Sequence, residues 1–198
     1  MAMAPFAIFS LPRSRSAWLS HWLSGSGLAV GHDLGIECDT PEALLDSYRF
    51  GMAGTIETGG AVEGWRLLKA RIPSIRFVTI RRPLAEVEAS LAKFGIEAHE
   101  ELSVRDAMLD EVEQLGGAES LRFRDLSSIN VRAWLWHHCL GFDVPFVPEW
   151  DAACEITNIQ VDMPGRLARL RERREAILAC QLALRAELRG LAPCRLLN

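Results

Sequence analysis

The chain has 198 residues, 49% apolar and 24% charged, enough for one sizeable core and short for two, so a single domain is expected over 1–198. A net charge of -4 and an isoelectric point near 5.8 exclude the broad basic surface that general binding to nucleic acid or an anionic membrane requires. Five scattered cysteines without a CxxC pair signal neither zinc nor a disulfide framework, and with no positive charge before Arg13 and no apolar run of ~18 residues, a cytoplasmic protein is expected.

The first apolar run, Phe6 to Leu11, lies between Pro5 and Pro12 and is too brief for a helix, so it reads as a buried strand. From Ser16, Trp18, Leu19, Trp22 and Leu23 fall at helical spacing up to a stop at Gly25 to Gly27. "GLAVGHDL" (Gly27 to Leu34) reads as a short strand, and "TPEALLDSYRF" opens a helix with Thr40 as cap and Pro41 at its first position. A third strand is expected in "GMAGTIETGG", a helix in "AVEGWRLLKARI" closed by Pro73, and the best strand of the chain in "SIRFVTI". "RRPLAEVEASLAKFG" predicts a helix from Pro83 to Gly95.

Further on, "ELSVRDAMLDEVEQL" is an amphipathic helix and "SLRFRDL" a fourth or fifth strand. "SINVRAWLWHHCLG" is a helix with a serine cap and a terminal glycine, and "MPGRLARLRERREAILACQLALRAELRG" supplies a long last helix. Strands alternating with helices predict an α/β fold, a three-layer α/β/α arrangement with a mostly parallel sheet and a helical C-terminal half.

In such a sheet, ligands bind beyond the carboxyl ends of the strands, and a strand-to-helix turn presents unpaired N–H groups to an anion. The turn "LPRSRSAW" adds Arg13, Ser14, Arg15 and Ser16, all donors, so a phosphate or sulfate fits it better than an uncharged ligand. The nucleotide-triphosphate loop GxxxxGK is absent, which disfavours a standard ATPase or kinase.

"PRSRSAWL" (Pro12 to Leu19) resembles the 5'-phosphosulfate loop of the sulfotransferases: Pro, Lys or Arg, Ser, Gly, Thr or Ser, Thr, often followed by Trp-Leu. "FVTIRRPLAEVEASL" (Phe77 to Leu91) is similar to the second motif of that family, a strand ending in Arg before x-Pro and a helix bearing Ser. The resemblance covers the first ~90 residues and implies a P-loop-like domain. It implies the donor 3'-phosphoadenosine 5'-phosphosulfate, an acceptor hydroxyl or amine on a small or carbohydrate-like molecule, and no metal.

Carried over residue by residue, the resemblance puts Arg13 at the bridging oxygen of the donor, where an always-charged guanidinium stabilises the leaving phosphate. Ser14, Arg15, Ser16 and the N–H groups as far as Ala17 would hold the 5'-phosphate, Trp18 would pack on adenine, and Arg81 or Arg82 with Ser90 would clamp the 3'-phosphate. In several members an acidic residue one strand after the first helix acts as base. Here the corresponding "VGHDL" offers His32, with Asp33 beside it and Glu57 in "TIETGG" in reserve.

Bland readings stand beside these. Arg15 occupies the expected glycine position, so it either obstructs the phosphate or serves as a third ligand, and Trp18 shares a face with Trp22 as core residues do. "WLWHHC" reads as helix packing rather than a metal cage, and "NIQVD" (Asn158 to Asp162) has no assignable chemistry. Two other functions share the expected fold: a divergent P-loop small-molecule kinase, and a nucleotide-binding or interaction module without turnover.

Overall fold

The structure is a computed structural model that describes residues 4–38, 41–59, 64–96 and 101–157. The expected cap at Thr40, the segment Asn158 to Asp162 and the long last helix from Met163 lie outside the described residues.

The elements follow in the order β1 (Phe6–Ser10), α1 (Ser16–Ser24), β2 (Ala29–His32), α2 (Leu34–Glu37), α3 (Pro41–Arg49), β3 (Met52–Glu57) and α4 (Trp65–Arg71). They continue with β4 (Arg76–Arg81), α5 (Leu84–Ala92), α6 (Glu101–Gly116), β5 (Glu119–Arg122), a 3-10 turn (Phe123–Ser127), α7 (Ile129–Leu140) and α8 (Pro148–Ile156). The five strands among the described residues form one parallel sheet in the order β2-β3-β1-β4-β5. The predicted "SLRFRDL" strand is shorter than expected: it stops at Arg122, and Phe123 onward turns into the 3-10 helix.

Each face of the sheet carries its own core, and the division follows the two-residue period of the strands. Phe6, Ile8, Val78 and Ile80 point to one face, where they meet Trp18, Leu19, Trp22 and Leu23 of α1, Leu135 and Trp136 of α7, and Cys154 of α8. Ala7, Phe9 and Phe77 point to the other, against Leu44 and Leu45 of α3, Leu67 and Leu68 of α4, Val87 and Leu91 of α5, and Leu109 and Val112 of α6. A sheet covered on both faces needs strands that are apolar throughout, which is why β1 is buried at every position. Gly54 of β3 is fixed by this packing, since a Cβ there would lie 2.4 Å from the Phe6 ring.

The ends of the sheet acquire their geometry from the connections. β1 sends its chain into α1 on one face, whereas its neighbours β3 and β4 send theirs into α4 and α5 on the other. The chain diverges at the carboxyl end of β1, the kind of crevice in which open α/β sheets take their ligands.

Candidate active site

Between β1 and α1 the turn Leu11 to Arg15 crosses this crevice. Arg13 (φ 65°) and Arg15 (φ 62°) both adopt the left-handed conformation that favours glycine, at a cost of about 1 kcal/mol each. Arg15 therefore takes a backbone shape that glycine adopts most readily. Its carbonyl accepts the Leu19 N–H at 2.8 Å and starts the helix, leaving the first-turn N–H groups from Ser16 onward without intrahelical acceptors. Ser14 between the two arginines is fully buried, and its Oγ has no hydrogen-bond partner. Neither does the buried Oγ of Ser10 at the end of β1. Buried hydroxyls are ordinarily bonded, so these two, one at the end of β1 and one within the turn, are exceptions.

The two arginines of the turn diverge. Arg13 reaches α5, its Nε donating to Ser90 Oγ at 3.3 Å and its guanidinium lying 4.1 Å from the centre of the Phe94 ring. Arg15 goes to α8 on the opposite face, its Nη1 donating to Glu155 Oε1 at 2.9 Å. Arg82, one residue past β4, turns back over the turn and donates Nη1 to the carbonyl of Arg13, while its guanidinium stacks on Phe123 at 4.3 Å. Among the described residues no carboxylate pairs with Arg13, and the one that meets Arg82, Glu86, is exposed. Burial, and secondarily the charge of Arg82, lowers the Arg13 pKa from its ordinary value. Two cations crowded in this way are relieved by an anion.

His32 ends β2 on the same side of the sheet as α1. Its Nε2 lies 3.0 Å from Ser16 Oγ and 3.5 Å from Asp33 Oδ2. Asp33 is buried with φ 51°, and its carboxylate accepts the Thr58 N–H at 2.6 Å and the Thr58 hydroxyl at 2.9 Å. A carboxylate held so firmly beside an imidazole stabilises the cation formed when the ring takes a proton. Glu57 has a different role: it is fully buried, accepts the N–H groups of Leu34 at 3.0 Å and Gly35 at 3.3 Å, and receives the Thr55 hydroxyl. Burial, helped by the nearby Asp33, pushes its carboxyl up to about 8. It is positioned to fasten α2 to β3, and has no exposed edge for an acceptor.

The structure thus brings together Arg13, Ser14, Ser16, Ala17, His32, Arg82 and Ser90, and ties the side chains of three other expected site residues to partners elsewhere. Trp18 is 6% exposed, donates Nε1 to the Cys154 carbonyl at 2.9 Å and is stacked on Trp22 with ring centres 5.3 Å apart; it packs the core between α1 and α8. Arg81, the last residue of β4, points like Phe77 and Thr79 to the α6 face, where it pairs with Asp110 at 2.6 Å and lies 3.5 Å from Asp106. Arg15 is held by Glu155. Beside Arg82 opens a pocket of about 390 Å³ lined by Arg81, Leu84, Arg122, Phe123 and Arg124 among others. Among the described residues no group of three or more His, Cys, Asp or Glu side chains is arranged to hold a metal ion, and no helix is long and apolar enough to cross a membrane.

No family model, curated protein or solved structure matches this chain.

Several residues of this region escape sequence reasoning. α8 carries a readable start, Pro148 at its first position and Glu149 and Asp151 in the first turn, and supplies Glu155. Asp151 accepts two bonds from the buried Arg132 guanidinium, at 2.7 and 2.6 Å, and a third from Trp22 Nε1 at 3.0 Å. Nothing local announces that pairing, because its partners are 19 and 129 residues apart in the chain.

Proposed function

We propose that the protein is a sulfotransferase-like enzyme that transfers a sulfuryl group from 3'-phosphoadenosine 5'-phosphosulfate to a hydroxyl or amine of a small or carbohydrate-like acceptor. The observation that carries this reading is the junction of the two arginine motifs: Arg13 of the first is bonded to Ser90 of the second, and Arg82 of the second to the Arg13 carbonyl. Loops that resemble the two phosphate-binding segments of that family, 77 residues apart at the Arg13–Ser90 contact, meet at one end of adjacent strands.

The residues present fit such a donor. The unpartnered Ser14 hydroxyl and the first-turn N–H groups of α1 would hold one phosphate, Arg82 and Ser90 the other, and the pocket beside Arg82 is of nucleoside size. The bound donor supplies an electrophilic sulfuryl group. Arg13 stabilises negative charge on the departing phosphate and, being permanently protonated, does so without giving up a proton. His32 takes the acceptor's proton on its imidazole, Asp33 beside Nε2 steadies the resulting imidazolium, and Ser16, also at Nε2, ties the ring to the anion turn.

A kinase reading would need an ATP-phosphate loop, and the turn has neither the glycines nor the lysine. The test is a transfer assay with a panel of hydroxyl and amine acceptors, comparing wild type with His32→Ala. Turnover in the wild type that His32→Ala loses, with nucleotide affinity retained, is expected. Nucleotide binding without turnover on any acceptor, unchanged by His32→Ala, would favour a silent binding module.

A further inference from the structure

Arg15 and Glu155 form a contact that the proposed reaction does not use. Arg15 belongs to the anion turn, yet its guanidinium is drawn to α8, where Nη1 donates to Glu155 Oε1 at 2.9 Å and the plane lies 5.0 Å from the centre of the Trp18 ring. Both side chains keep partial access to solvent, at 35% and 26%. Glu155 is held from behind as well: its Oε2 is 3.5 Å from Nη1 of Arg132, which is buried and already bonded twice to Asp151. Asp151, Arg132, Glu155 and Arg15 thus alternate in charge from the core of α7 and α8 out to the turn. Arg132 and Asp151 satisfy each other, so Glu155 is the member whose charge is spent on Arg15.

We infer that Glu155 stands in for the ligand: it and a phosphate-type anion in the turn compete for the Arg15 guanidinium, and Arg15 passes to the anion when one binds. The inference rests on the turn being an anion site, for which the buried, unpartnered Ser14 hydroxyl and the Arg13 guanidinium, which no carboxylate meets among the described residues and which Arg82 crowds, are the grounds. It gives the arginine at the glycine position a purpose. The left-handed φ of Arg15 preserves the loop's shape, while the long side chain adds a third guanidinium that α8 withholds until the anion arrives. Glu155 is then a positioning residue that sets how tightly the anion is held.

The experiment is calorimetric titration with two probes, adenosine 3',5'-bisphosphate and inorganic pyrophosphate, of the wild type, Glu155→Gln, Arg15→Gln and the double variant. Glu155→Gln should bind roughly five-fold more tightly, Arg15→Gln roughly five-fold more weakly, and the double variant like Arg15→Gln. Unchanged or weaker binding by Glu155→Gln, or a gain that survives in the double variant, overturns the inference. Should Glu155→Gln fail to fold, Arg15→Gln alone decides, since it leaves the Arg132–Asp151 pair untouched: unaltered affinity there overturns it. Pyrophosphate binding in this pattern without nucleotide binding would support the exchange and contradict the donor assignment. Nucleotide binding equally to wild type and Glu155→Gln would do the reverse, and binding of neither probe to the wild type would overturn both.

Discussion

Arg82 donates to the backbone carbonyl of Arg13, so a side chain that follows β4 holds in place a turn that follows β1, 69 residues earlier in the chain. The bond holds the left-handed Arg13 and keeps two guanidinium groups close enough for their charges to act on each other. Arg82→Ala should remove the clamp and one cation. Affinity for adenosine 3',5'-bisphosphate should fall about ten-fold or more, with a loss of stability of about 1 kcal/mol, checked by calorimetry and thermal melting.

Trp18 tests the difference between a core ring and a nucleotide platform. Its Nε1 bond to Cys154 and its stacking on Trp22 predict that Trp18→Phe lowers stability by about 1–2 kcal/mol while nucleotide affinity stays within about two-fold. A large loss of affinity in a folded variant would mean that the ring leaves the core to meet the ligand.

Asp151 and Arg132 form the buried ion pair that ties α8 to α7, with Trp22 as a third partner. Asp151→Ala leaves a buried guanidinium without its carboxylate, and should cost about 3–5 kcal/mol in chemical denaturation. The same change should loosen α8 and with it the Arg15 contact to Glu155.

Glu57 makes stability depend on pH. Its folded-state carboxyl is raised to about 8, first by burial and then by Asp33, from an ordinary value of 4.5. Because the folded protein holds this proton and the unfolded chain does not, stability falls as pH rises from about 4.5 to about 8, and the contribution is level on either side of that window. Denaturation measured between pH 5 and 8 should show the decline, and Glu57→Gln should flatten it. A wild-type stability that rises through this range would contradict the assignment.

Local sequence was enough to locate the strand, turn and helix at Phe6 to Ser24, because a short apolar run between prolines and a tryptophan stripe at helical spacing each have one good structural solution. Parity along β4 could also have separated Arg81 from Arg82. Arg81 keeps step with Phe77 and Thr79 and so faces α6, while Arg82 lies beyond the strand and is free to turn toward the site. What the sequence could not disclose was the direction taken by Arg13 and Arg15, since the partners that draw their side chains are distant in the chain, Ser90 and Phe94 for one and Glu155 for the other. Trp18 was ambiguous for a related reason. A ring at i, i+4 from another looks the same whether its far side meets a neighbouring helix or a ligand.

The most direct test of the donor assignment is a calorimetric titration of the folded wild-type protein with adenosine 3',5'-bisphosphate, alongside ATP with magnesium. Saturable, metal-independent binding of the bisphosphate at micromolar concentration, weakened by Arg13→Ala and by Arg82→Ala, is the expected result. No heat of binding at high micromolar bisphosphate, or tight magnesium-dependent binding of ATP in its place, would contradict it.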